Sequence, residues 1–163
     1  MGTEVERKFL VTDPSWRESA DDGVRYRQGY LIGASACSVR VRTAGNRAWL
    51  NIKSATVGVQ RQEFEYAIPQ DEAEVMLETL CERPLVEKVR YHVPVGGHVW
   101  EVDCFEGDNA GLVVAEVELT YPDEAFDMPE WAGAEVSHLP RYYNVCLVRH
   151  PYSEWSDDER AGH

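Results

Sequence analysis

At 163 residues the chain can bury a real core within one domain. With 44% hydrophobic and 28% charged residues it reads as a folded globular protein, not a disordered one. A net charge of -13 is the wrong sign for nonspecific binding to nucleic acid or an anionic membrane, yet it leaves room for a small anion held by a local basic cluster.

The first predicted strand, 3–11, starts almost at once, without the basic region and apolar run of a secretory signal. No apolar stretch approaches membrane-spanning length. Further strands are expected at 24–33, 36–43, 46–54, 60–68, 85–95, 98–106 and 112–120, from alternation, β-branched and aromatic content and glycine-bearing breaks. The third and fourth read as a hairpin through Ala44-Gly45-Asn46, the sixth and seventh as one through Gly96-Gly97. A helix fits 70–82, where Ala73, Met76, Leu77 and Leu80 form an apolar stripe. A second short helix is expected within 123–137, and a third at 140–149, started by Pro140. Residues 1–150 make one domain, followed by a polar tail, 151–163, expected to fray from Ser153. Cys37, Cys81, Cys104 and Cys146 lack the paired spacing of a zinc site, so reduced thiols in a cytoplasmic protein are expected.

Six strands carry charges two residues apart: Glu4/Glu6/Lys8, Arg40/Arg42, Arg61/Glu63/Glu65, Lys88/Arg90, Glu101/Asp103 and Glu116/Glu118. Lys53 adds one to a seventh. Side chains alternate faces along a strand, so each strand aims its charges one way and its apolar residues the other. Such a face is either solvated or turned into a shared lumen. Three features weigh toward the lumen. The charges fall at matched spacing on nearly every strand, with few Thr, Ser or Gln. Like charges stand in pairs that cost energy unless a cation or an opposing base compensates. The apolar face also needs a cover, which the helices at 70–82 and 140–149 supply from outside. Eight mostly antiparallel strands with few helices then suggest a mainly β fold, an antiparallel barrel without exposed edges.

The run Glu4-Val5-Glu6-Arg7-Lys8 resembles the ExExK signature of the CYTH superfamily, the triphosphate tunnel metalloenzymes. The agreement continues in order: Arg27-Gln28-Gly29-Tyr30-Leu31, Val39-Arg40-Val41-Arg42, Lys53, Arg61-Gln62-Glu63-Phe64-Glu65, Glu87-Lys88-Val89-Arg90, Glu101-Val102-Asp103 and Glu116-Val117-Glu118. Arg141-Tyr142-Tyr143-Asn144 resembles the start of its C-terminal plug helix. Pro140 and Tyr143 depart from it, since close bacterial relatives can carry basic residues there.

The resemblance implies an eight-stranded tunnel of the short stand-alone bacterial type and a hydrolase acting on inorganic triphosphate or a related linear polyphosphate. Lys8, Arg40, Arg42, Lys53, Lys88 and Arg90 would hold phosphates, as arginine forks and compact lysine charges do. Arg61 would join them or pair with a carboxylate, and Arg141 would reach in from the plug helix. It also implies one Mg²⁺ or Mn²⁺ near Glu4, Glu6 and Glu116, and a second near Glu63, Glu65, Asp103 and Glu118. Tyr30, or Lys8 if neighbouring cations depress its pKa, is the candidate base. Glu101 would hold a cation; His92 reads as structural. Trp49 and Asn51 would shape the lumen, while Trp100, Trp131 and Trp155 would lie outside or at the surface. Thiamine or nucleoside triphosphatase, a class IV adenylyl cyclase, a polyphosphate- or nucleotide-binding module and a plain surface-charged β sandwich stay open. So do metal preference and a homodimeric assembly.

Overall fold

A computed structural model describes residues 2–163. All eight expected strands form: β1 (Gly2–Val11), β2 (Val24–Gly33), β3 (Cys37–Ala44), β4 (Arg47–Ser54), β5 (Gln60–Ile68), β6 (Val86–Val95), β7 (His98–Phe105) and β8 (Val113–Leu119). They pair antiparallel in the order β5-β4-β3-β2-β6-β7-β8-β1, and β1 pairs back to β5, which closes the barrel. Both expected hairpins are tight turns, with Gly45 at φ +59° and Gly96 at φ +58°, a region that favours glycine.

Closure sends the two faces of each strand to opposite fates. The outward face packs in two places. Val5, Phe9, Trp100, Val102, Ala115 and Val117 are covered by Trp16 from a 3₁₀ turn (Pro14–Ser19), by Trp131, and by the partly buried Phe126. Around the barrel, α1 (Gln70–Thr79) lays Ala73 and Leu77 onto Val41 and Ala48. Gly29 makes room beside that helix: a Cβ there would sit 2.7 Å from Cys81 Cβ and Leu85 Cδ2. Trp100 and Trp131 thus lie outside the barrel, as expected, but in its most buried outer cluster.

The inward face is not uniformly polar. Val86, Phe105 and Val114 share strand parity with charged neighbours and Tyr30 stands opposite Arg40, yet all four pack in one cluster with Val136, Tyr142, Leu147 and Val148. They fill one end of the bore with a stopper built on a 3₁₀ turn (Pro140–Tyr142) and α2 (Asn144–Arg149), within the helix expected at 140–149.

Two expectations fail. No helix forms within 123–137 among the described residues; β9 (Ala132–Glu135) instead pairs with β1 at Phe9 and Val11. Pro129 removes a backbone donor from any helix there, while β1 beyond its pairing with β5 offers an unpaired edge. The tail is not frayed. A turn (Tyr152–Glu154) and α3 (Asp157–Arg160), with a Ser156–Glu159 capping box, dock on the stopper. Trp155, expected outside the barrel or at the surface, is buried edge-on against Tyr142 at 4.9 Å. Among the described residues no helix is long and apolar enough to cross a membrane.

Candidate active site

The charged faces meet in a cavity of about 470 Å³ within the bore. Its wall holds seven cations (Lys8, Arg40, Arg42, Lys53, Arg61, Lys88, Arg90) and seven carboxylates (Glu4, Glu6, Glu63, Glu65, Glu101, Glu116, Glu118). Formal lining charge is therefore zero, and the -13 of the chain lies elsewhere.

Most cations have carboxylate partners. Lys8 Nζ lies 3.2 Å from Glu116, Lys53 3.0 Å from Glu4, Arg61 3.0 Å from Glu6 and Arg42 3.5 Å from Glu65. Arg90 meets Glu101, Asp103 and Glu116. Arg40 differs. It is buried, no carboxylate lies within ion-pair distance among the described residues, and its Nε has no partner. It stands opposite Tyr30 across the β2–β3 ladder, where its charge pulls on the phenol. Burying an uncompensated guanidinium is costly, so this position waits for an anion. Arg40 and Arg90 also crowd Arg42, and after burial they pull it down to about 10.

Three expected residues do other work. Asp103 is 1% exposed and off the cavity wall: Lys88 Nζ donates to it at 2.7 Å and Arg90 at 2.8 and 2.9 Å. With both oxygens occupied it aims two lumen cations and is badly placed to ligate an ion. Arg141 does not reach the lumen. Its guanidinium donates to the Glu159 and His163 carbonyls, which the tail presents on that side, and stacks on Tyr142. Trp49 lies off the cavity wall, between Arg42 and Arg47. Asn51 braces Glu63 and Glu65 at 3.2 and 2.7 Å, and His92 is an exposed partner of Asp21.

The expected bases hold their protons. Burial pulls the Lys8 ammonium down, but Glu116 and Glu6 outweigh it and hold it above its ordinary value. Burial likewise raises the Tyr30 phenol against the pull of Arg40 and Lys8. The condition set for Lys8 as a base, a depressed pKa, is not met. The group poised near neutrality is Glu6, pushed up to about 7 by burial, then by Glu116 and Glu4.

Glu6 also faces Glu118 directly across the β1–β8 ladder, and Glu118 is raised by burial, then by Glu4, Glu101 and Glu6. Opposed carboxylates with raised pKa values suit a hard divalent cation. Among the described residues, no three acids are gathered at ligand spacing, and Glu4 and Glu6 lean to Lys53 and Arg61.

Two further residues of the site escaped the charge pattern. Tyr26 lies under Arg42 and Arg90 at 5.2 and 5.3 Å, on the same parity as Gln28 and Tyr30. Tyr143 lines the cavity from the stopper, and only the tertiary fold brings it there.

The family model for the CYTH domain matches residues 2–143. The chain is 45% identical over 157 residues to the inorganic triphosphatase of Acetivibrio thermocellus, covering 96% of this chain and 100% of that protein. It is 37% identical over 150 residues to the inorganic triphosphatase of Nitrosomonas europaea, covering 90% and 97%. The crystal structure of an inorganic triphosphatase superposes with a TM-score of 0.65 at 36% identity, over 91% of this chain and 95% of that one. A Hippeastrum protein, described as a putative adenylyl cyclase with a dominant triphosphatase activity, superposes with a TM-score of 0.58 over 74% of this chain and 81% of its own. At 16% identity it shares the fold alone.

Proposed function

The chain belongs to the CYTH domain family, and on that premise we propose that it hydrolyses a terminal phosphoanhydride of inorganic triphosphate with Mg²⁺ or Mn²⁺. The observation that carries this reading is Arg40, a buried guanidinium without a carboxylate at the heart of a lumen walled by six other cations. Phosphate oxygens are the ligand such a position suits. Arg42, Lys53 and Arg61 would exchange their present carboxylates for phosphate, and Asp103 keeps Lys88 and Arg90 aimed. Glu4, Glu6, Glu116 and Glu118 would hold one metal ion, and Glu63 and Glu65 a second. A bound ion supplies charge neutralisation and in-line positioning, the main needs of phosphoryl transfer. Lys8 and Tyr30 are protonated, so they donate to the substrate.

The wall favours a bare phosphate chain over a nucleotide or thiamine ester. Of its aromatic rings, Tyr143 is already engaged by Arg61 and Tyr30 is buried against the stopper, and no apolar slot for a base opens beside them. All four cysteines are free thiols, which supports a cytoplasmic site of action. A phosphate-release panel over triphosphate, ATP and thiamine triphosphate, with and without each metal, is the test. Metal-dependent release from triphosphate foremost is expected; cyclic AMP from ATP with none from triphosphate would overturn it.

A further inference from the structure

Tyr143 has a setting that a packing role does not explain. Its hydroxyl is fixed on both sides, donating to the Ser137 carbonyl at 2.9 Å and accepting from the Gly58 N–H at 3.1 Å. That bond pair ties the stopper to the loop between β4 and β5. Its ring then stands in the cavity with Arg61 at 5.0 Å and Lys8 at 5.6 Å from the centroid. The same segment holds Lys8 again, through a 3.2 Å bond from Nζ to the Tyr142 carbonyl, and the Lys8 N–H donates to Ser137 Oγ at 2.9 Å.

The chemistry of a π face differs from that of a carboxylate here. A carboxylate partner such as Glu6 or Glu116 orders a cation but cancels its charge. A pinned neutral ring orders the cation and leaves the charge for an anion. We propose that Tyr143 is a positioning residue for substrate binding: its ring face holds Arg61 and Lys8 at the stoppered end of the bore, so that both stay aimed when they exchange Glu6 and Glu116 for the last phosphate of a linear chain. This rests on the triphosphatase reading, and the measurements separate the two.

The variants are Tyr143→Leu, which removes the ring, and Tyr143→Phe, which keeps the ring and removes the pins. Both are made in wild-type and Arg61→Gln backgrounds. KM and kcat on triphosphate are measured with metal, and triphosphate binding is measured by calorimetry without it, all well below each variant's melting temperature. Tyr143→Leu is expected to raise KM and the calorimetric Kd about tenfold, with kcat changed less than about threefold. Tyr143→Phe should stay within about threefold of wild type, and Tyr143→Leu should add less than about threefold once Arg61 is gone. A leucine variant that binds like wild type sinks the proposal. So does a phenylalanine variant as weak as leucine, or full additivity with Arg61→Gln. A wild type that binds triphosphate without cleaving it would end the triphosphatase reading while leaving the binding arm for Tyr143 intact.

Discussion

Replacing a cation in this lumen has opposite consequences depending on whether it has a partner. Arg40 bears its burial cost alone, so Arg40→Met should leave the ligand-free protein as stable as wild type or more so, while KM for triphosphate rises by roughly 10- to 100-fold. Lys53→Met leaves Glu4 without its 3.0 Å partner and should lower the melting temperature as well as weaken binding. A thermal melt beside a KM determination tests the contrast; equal destabilisation by both variants would refute it. Glu6 gives the pH counterpart. Its folded pKa, about 7, lies above its ordinary 4.5, so the folded state binds the extra proton between those values and stability falls as pH rises through that window. The shift corresponds to about 3 kcal/mol at full ionisation. With chelator present, the melting temperature should decline from pH 5 to pH 7.5, and Glu6→Gln should flatten that decline. Because a divalent ion needs the ionised carboxylate, stabilisation by Mn²⁺ should be weak at pH 5.5 and strong at pH 8.

Among the elements, the stopper and its tail matter most for function. Trp155 buries itself on Tyr142, the Tyr142 hydroxyl donates to the Glu159 carbonyl at 3.1 Å, and the Tyr142 carbonyl takes the Lys8 bond. The tail therefore acts on the site through one residue. Ending the chain after Pro151 removes that anchor and should destabilise by roughly 3–5 kcal/mol, the cost of deleting a buried tryptophan. KM should rise with it, whereas ending after Trp155 should cost much less. Unfolding curves and KM for the two truncations decide this, and a harmless cut at Pro151 would mean the tail is dispensable. Strand placement and the inward charges were legible beforehand because alternation has a period of two and each charged face repeats it. The tail was not: Ser153, Glu154, Asp157 and Asp158 look solvated, and one tryptophan among them does not reveal the surface it meets. β9 was hidden for a related reason, since its pairing depends on an edge left by β1 far away in sequence. Asp103 and Glu101 share a face and a charge, so nothing in their spacing tells which one lines the cavity and which aims Lys88.

For the molecule as a whole, the charge is divided by place. The cavity wall is balanced, seven cations against seven carboxylates, so the -13 belongs to the exterior and the remaining buried pairs. Triphosphate approaching from solution is repelled by that exterior before it meets any arginine, and the repulsion acts over about one Debye length, ~30 Å at 0.01 M salt and ~10 Å at 0.1 M. Inside the bore, contacts of about 3 Å are hardly screened. Added salt should therefore weaken the barrier to entry more than it weakens the grip. At fixed saturating metal, kcat/KM for triphosphate should rise between 10 and 100 mM NaCl, the reverse of the steep fall seen when a basic surface steers an anion. Replacing exterior carboxylates that touch no lumen residue, such as Glu72 and Asp158, by neutral amides should raise kcat/KM at low salt and leave kcat unchanged. Initial rates across the salt series settle the point: a monotonic fall would mean that the field of the lumen cations, not the acidic shell, governs how substrate arrives.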